Sequence, residues 1–365
     1  MAEPLPWVTG VLTEGQVADT AAAIAAMQEP CGAVPWTTGE HVDIWNHVEA
    51  AMAMLVGGQV EAAERAYAWV PTMQRPDGSW PMKIVAGAVD DERGEVNMSA
   101  YLAVGVWHHW LVRHDIDWVR GYWPSVRAGL DWVVSQQLPF GGINWTPTES
   151  FALLAGSSSI YQSLRAGLAI GELLGEPQPE WELAGGRLGH ALREHRDLFA
   201  DKSTYSMDWY YPVLGGAVRG EAGVALLDSR WNDFVQPGLG IRCVDTNPWF
   251  TGAETCELAM ALDAVGDHRR AVALLADVQL RLRETDGRYW TGWVSGDDVH
   301  WPHEHTTYTA AAVILAVDAL GETYGHSSPG SGIMRGTSLA PHPPELALEC
   351  GCAPESADRL AGHPG

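Results

Sequence analysis

Residues 73–80 read Met-Gln-Arg-Pro-Asp-Gly-Ser-Trp, "MQRPDGSW", and cut off a helical run abruptly. Pro-Asp-Gly is turn chemistry: Pro presets φ, Asp bonds locally and Gly accepts a positive φ. A turn alone needs neither the Gln before it nor the Trp after it. The same device recurs along the chain. Gln28-x3-Gly32-x3-Trp36 ("QEPCGAVPW"), Gln74-x3-Gly78-x-Trp80, Gln137-x3-Gly141-x3-Trp145 ("QLPFGGINW") and a degenerate Arg283-x3-Gly287-x2-Trp290 ("RETDGRYW") keep one spacing between polar residue and glycine. Each copy ends a charged helical run and precedes a more apolar one. The repeating unit is therefore a helical hairpin of roughly 45–60 residues, within the range of helical repeats.

Working outward, strand signals are weak and Ala-rich helical runs dominate. The periodicity predicts about twelve helices, near 15–28, 43–56, 59–74, 95–113, 117–137, 157–174, 180–195, 207–219, 221–232, 252–265, 267–283 and 304–322. Runs such as "EAAERAYAWVPTMQ" carry a charged face and read as outer helices, whereas "TTYTAAAVILAVDAL" is apolar all round and reads as buried. Six outer–inner hairpins form either an open solenoid or a closed α/α-barrel. A solenoid ends in polar capping repeats, but here the last inner helix is the most apolar, so closure is expected. The fold class is all-α, an (α/α)6-type toroid spanning 1–324. Residues 325–365, rich in Gly, Pro and Ser, read as a low-complexity, disordered tail with a short helix near 343–349. Cys350 and Cys352 within it are read as a chance pair.

Composition narrows the function classes. The 365 residues carry 22 Lys plus Arg against 46 Asp plus Glu, a formal charge of −24. Nucleic acid and anionic membrane surfaces need a basic footprint and are excluded as partners. Five scattered cysteines fit a reducing compartment. No apolar run approaches the ~20 residues of a transmembrane span, and the N-terminus lacks a signal-peptide pattern, so a cytoplasmic location is expected. Eighteen Trp against five Phe suggest cavity walls and locked turns. A small-molecule substrate, isoprenoid, lipid or sugar, is the expected partner.

The Gln…Gly…Trp segments resemble the QW motifs of the terpenoid cyclase and protein prenyltransferase superfamily, an α/α-toroid fold. The stretches "DIWNHVEAAMAM", "GSSSIYQSL", "YSMDWYYPVLGG" and "WPHEHTTYTAAAV" are similar to actinobacterial proteins labelled prenyltransferase, over about residues 12–323. The resemblance implies isoprenoid chemistry, yet neither the DxDD nor the DDxxD motif of the cyclases occurs. It also implies a zinc option: Glu254-x-Cys256 with His303 or His305 falls where the protein prenyltransferases carry Asp-x-Cys and a distant His. No cofactor is otherwise expected.

The inner-helix starts "DIWNHVE", "EVNMSAY", "SSSIYQS", "SMDWYYP", "TGAETCE" and "HEHTTYT" are the most polar parts of otherwise apolar helices. Burying such groups bare costs ~2–7 kcal/mol, so they line a cavity, pair, or cap helices. Asp43 and His47, four apart, read as a pair for proton transfer, with Glu49 a little further round. Asp208, among aromatics, reads as an acid of raised pKa, and Glu304, between His303 and His305, as a base. Glu254 and Glu257 share a helix face. Asp43, Trp45, Asn97, Tyr101, Tyr161, Trp209, Tyr210, Trp249, Glu254, Trp301 and Tyr308 are the expected substrate contacts. An isoprenoid-handling enzyme, with aromatic faces stabilising a carbocation, is the leading expectation. The alternative is an (α/α)6-barrel glycoside hydrolase using Asp208 and Glu304 across a Trp-lined site. A non-catalytic lipid- or sugar-binding barrel is the third.

Overall fold

The computed structural model describes residues 4–321, 330 and 332–344. Helical hairpins run in chain order as α1 (Glu14–Met27) with α2 (Ile44–Val56), then α3 (Val60–Trp69) with α4 (Val96–Ala100) and α5 (Leu102–Arg113). Next come α6 (Ile116–Ser135) with α7 (Leu154–Leu174), and α8 (Pro179–Glu194) with α9 (Ser206–Leu214). The last two are α10 (Gly220–Ser229) and the single turn α11 (Trp231–Phe234) with α12 (Gly252–Ala264), and α13 (His268–Arg281) with α14 (Thr307–Leu320). The inner members touch in a ring, α2 to α5, α7, α9, α12, α14 and back to α2. The chain is an α/α toroid, closed as the sequence suggests.

Burial explains the alternation. In α2 every residue from Ile44 to Leu55 is buried, because helices flank it on both sides. Outer α3 buries only Ala62, Ala63, Ala66, Tyr67 and Trp69, one stripe. Hydrogen bonds tie the hairpins together through the repeated Gln. Gln28 Nε2 donates to Gly32 O in its own loop and to Ala62 O of α3. Gln74 donates to Gly78 O and to Ser125 O of α6, and Gln137 to Gly141 O and to Ala184 O of α8. The glycines lie against the same neighbouring outer helices, and Gly287 of the degenerate copy lies against Asp19 of α1, closing the outer ring.

Gly78 has φ +96°, and an added Cβ would fall 2.2 Å from Ala128 O of α6. Positive φ and a backbone clash act together there, so Gly78→Ala is expected to cost about 2–4 kcal/mol in urea unfolding. Gly39 also has positive φ but nothing within 4 Å, so Gly39→Ala should cost about 1 kcal/mol, strain alone.

Two features depart from the sequence reading. The first is β structure: β1 (Lys83–Val85) and β2 (Ala88–Asp91) form a hairpin. A five-stranded antiparallel sheet follows, in the order β3 (Val235–Gln236), β4 (Gly240–Arg242), β5 (Trp249–Thr251), β6 (Gly292–Val294) and β7 (Val299–His300), and β5 leads directly into α12. Strands of two to four residues leave no alternation to read. The second lies within the stretch read as a tail, where the turn α15 (Gly332–Arg335) buries Ile333 and Met334. Gln162 donates to Ile333 O and Arg165 to Ala340 O, fastening this segment across the toroid. Cys350, Cys352 and most of the expected helix at 343–349 lie outside the described residues. Among the described residues no helix is long and apolar enough to cross a membrane.

Candidate active site

The starts of the inner helices open into one cavity of about 370 Å³. Helix α2 supplies Trp45 and Asn46, α4 and its cap Glu95, Asn97 and Met98, α7 Ala155 and Gly156, and α9 Met207 and Tyr211. From β5 and α12 come Trp249, Thr251, Ala253 and Glu254, and from α14 Tyr308 and Thr309. Loops add Trp36, Met82, Trp145 and Thr291. Two of the repeat tryptophans, Trp36 and Trp145, therefore face the cavity, while Trp80 is a fully buried lock whose Nε1 donates to Val70 O.

Local capping brings the polar groups here. Asp43 caps α2, accepting from Asn46 N at 2.9 Å and from Asn46 Nδ2 at 2.6 Å. Glu95 caps α4, accepting from Met98 N at 2.6 Å. Glu254 accepts from Thr251 Oγ1. One turn deeper, Glu257 accepts the hydroxyls of Tyr210, Tyr211 (2.8 Å) and Tyr308 (2.9 Å), and Glu49 accepts that of Tyr101 at 2.8 Å. Asn46 Oδ1 and Asn97 Oδ1, both on cavity-lining residues, are buried without any hydrogen-bond partner. Among the described residues, no Lys or Arg lines the cavity.

The carboxyls form two couples. Burial lifts Glu95 to about 8, with the charge of Asp43 adding to it; burial raises Asp43 too, but the Asn46 bonds and His41, 3.7 Å away, favour its ionised form. Burial lifts Glu254 to about 7, with the charge of Glu257 adding. Glu257 is itself held at about 7, burial opposed by its tyrosine hydroxyls. Burial raises all four carboxyls, so Glu95 and Glu254, which face the cavity, hold a proton more readily than ordinary carboxyls do, and Glu257 shares that tendency with Glu254.

Of the sequence-predicted residues, Trp45, Asn97, Trp249, Glu254 and Tyr308 line the cavity. Asp43, Glu49, Tyr101 and Tyr210 are buried and do not line it; Asp43 bonds to Asn46, Glu49 to Tyr101 and Tyr210 to Glu257. Trp301 is exposed beside the cavity, with its carbonyl accepting from Trp249 Nε1 at 2.7 Å. Glu304 stands behind the wall, where Oε1 accepts from Trp36 Nε1 at 2.9 Å and Thr291 Oγ1 at 3.3 Å.

Others go elsewhere. The Asp43–His47 pair does not form: His47 Nδ1 accepts from Val34 N while Nε2 meets Ala66 O at 2.9 Å, and burial lowers its pKa to about 4. Asp208 and Trp209 line a separate groove with Arg196, Lys202 and Arg230, so Asp208 and Glu304 do not face one another across the cavity. Asp208, raised to about 6 by burial, accepts from Ala155 N and so caps α7. Tyr161 Oη lies 2.7 Å from His342 Nδ1, bonded to the C-terminal segment. For the zinc option, Cys256 is wholly buried while His303 and His305 lie tilted against Trp290, and no group of three His, Cys, Asp or Glu among the described residues could hold a metal.

Comparison with known proteins bears on this site. The chain is 53% identical over 355 residues to an MMP endo-(1,4)-3-O-methyl-α-D-mannosidase of Mycolicibacterium hassiacum, covering 96% of this chain and 97% of the relative. A D-mannose isomerase has the same fold, at 10% identity, TM-score 0.64, and coverage of 83% of this chain and 96% of that one. So has the GH63 mannosylglycerate hydrolase of Thermus thermophilus, at 15% identity, TM-score 0.63, with 82% and 99% covered. No family model matches. These findings overturn the prenyltransferase and terpenoid cyclase assignment and the isoprenoid function read from it. The Gln…Gly ties are a device of toroid packing, not a mark of one chemistry, and among the described residues the cavity offers a diphosphate no Lys or Arg to pair with.

Proposed function

We propose a hydrolase of α-linked mannose chains from one premise: this chain belongs to the family of the MMP endo-(1,4)-3-O-methyl-α-D-mannosidase. It is on that footing an enzyme of glycosidase type, acting on a small-molecule sugar substrate. The substrate proposed is a chain of 1,4-linked 3-O-methyl-α-D-mannose, cut internally. The observation that carries the reading is the pair of unpartnered acceptors, Asn46 Oδ1 and Asn97 Oδ1, on residues that line the same aromatic cavity as Glu254, a carboxyl of raised pKa. Buried acceptors left open cost ~1–3 kcal/mol each unless a ligand supplies donors, and sugar hydroxyls do so where a hydrocarbon cannot.

Glycoside hydrolysis needs a protonated carboxyl to deliver H⁺ to the leaving oxygen and an ionised one at the other face of the sugar. Glu254, raised to about 7 by burial and facing the cavity, is the proposed donor, with Glu257 one turn deeper held by three tyrosine hydroxyls. Asp43, the N-cap of α2 oriented by Asn46, is the proposed ionised partner. Trp36, Trp45, Trp145 and Trp249 offer faces for the sugar rings. The test is incubation with 1,4-linked 3-O-methyl-α-mannose oligomers and, separately, with an allylic diphosphate. Shorter oligomers released from the first, and no turnover of the second, are expected. An intact oligomer after prolonged incubation with folded protein would end the proposal.

A further inference from the structure

We propose that Met82, Met98 and Met207 are the element that reads the methyl ethers, so that the enzyme prefers O-methylated over bare α-1,4-mannose chains. The inference rests on the mannosidase reading of the same cavity and adds how its walls choose among mannose chains. The three methionines come from unrelated segments, the loop before β1, helix α4 and helix α9, and all line the cavity. Met82 is buried, whereas Met98 and Met207 are partly buried and pack on the core. Polar lining comes from Asn46, Asn97, Glu95 and Glu254, so the methionines are a distinct apolar component of the same wall.

A thioether side chain is unbranched and polarisable, and shapes itself to a methyl group. It accepts hydrogen bonds only weakly, so a sugar hydroxyl pressed against it loses its water and gains no partner. Methylation removes that hydroxyl's donor and adds a carbon that the wall can bury. The usual order for carbohydrate sites, in which an added methyl obstructs, is inverted.

The experiment compares kcat/KM for matched 1,4-α-mannose oligomers with and without 3-O-methyl groups, in wild type and in Met98→Gln, Met207→Gln, Met98→Leu and Met207→Leu. Wild type is expected to favour the methylated oligomer by about 10-fold or more, the scale of one added methyl in an apolar pocket. The Gln variants keep the length but supply polar groups, and should lose most of that preference by slowing on the methylated oligomer alone. The Leu variants, apolar and similar in volume, should keep it. Equal wild-type rates on the two oligomers, with hydrolysis intact, would overturn this inference and leave the mannosidase reading standing. A Gln variant that slows both oligomers equally would overturn it as well. Hydrolysis of neither oligomer by the wild type brings down the mannosidase reading, and this one with it.

Discussion

Asp43→Asn and Glu254→Gln are each expected to lower kcat on the methylated oligomer by about 10²–10⁴-fold, the usual range for removing an acid or base group. Either amide keeps the shape but cannot exchange a proton. Glu257→Gln should fall by at least about 10²-fold too. Its carboxyl accepts three tyrosine hydroxyls, and a neutral amide there disturbs that network and removes the lesser, charge-borne part of the upward shift that burial chiefly gives Glu254. Glu95→Gln is the control. Glu95 caps α4 through Met98 N, and the Gln carbonyl accepts that bond, so a loss of no more than about 10-fold is expected. The pH profile has a definite sign. With Glu254 at about 7, kcat/KM should fall as pH rises through that value, because the donor loses its proton. Steady-state kinetics between about pH 5 and 9 check both statements. A Glu254→Gln enzyme that retains a tenth of wild-type kcat, or an Asp43→Asn enzyme that does while Glu95→Gln is dead, would move the machinery to other carboxyls.

The closed toroid was legible because its tie repeats at constant spacing. Gln28, Gln74 and Gln137 make the same two bonds, and each reports on the next outer helix. The site was legible only in outline. Helix starts carry both caps and cavity walls, and "DIWNHVE", "EVNMSAY" and "TGAETCE" each contribute residues that line the cavity. Helical phase misled at particular positions. Asp43 is a cap with extended backbone, φ −119° and ψ 155°, so spacing of four does not align it with His47. Asp208 shares α9 with Met207 and Tyr211, which face the cavity, yet it lines the groove on the other side. Asn46, Glu95, Trp36, Trp145 and the methionines were passed over. Their signal is position: most follow a repeat glycine or open an inner helix, and residue type alone does not stand out. Function was least legible, since a packing motif shared by toroids says nothing of what the funnel holds.

Glu49→Gln should stabilise the protein at pH 8 while giving no gain near pH 4.5. Glu49 is 2% exposed, with Oε1 bonded to Tyr101 and Oε2 without a partner. Burial, and then the charge of Glu257, push its pKa well above the ordinary carboxyl value. Below that ordinary value the carboxyl is protonated in both folded and unfolded chains, and the substitution removes no charge. Above it the unfolded chain releases a proton that the folded one retains, and stability falls by about 1.4 kcal/mol per pH unit for one such group. The loss ends once pH passes the raised folded value. Glu95, Glu254 and Glu257 add to it over windows ending near 8, 7 and 7. Wild-type stability should therefore decline steadily from about pH 5 to 8, and Glu49→Gln should flatten the slope by one proton's worth. Urea unfolding of both proteins at several pH values measures this, and parallel curves would mean that Glu49 is already ionised in the fold. The result also separates two kinds of buried carboxyl. Glu49 is buried and does not line the cavity, so its removal relieves strain without touching the reacting groups. Glu254→Gln should also relieve a burial cost at pH 8 but lower kcat by about 10²–10⁴-fold, because the burial that costs the toroid stability there is what keeps the proposed donor protonated.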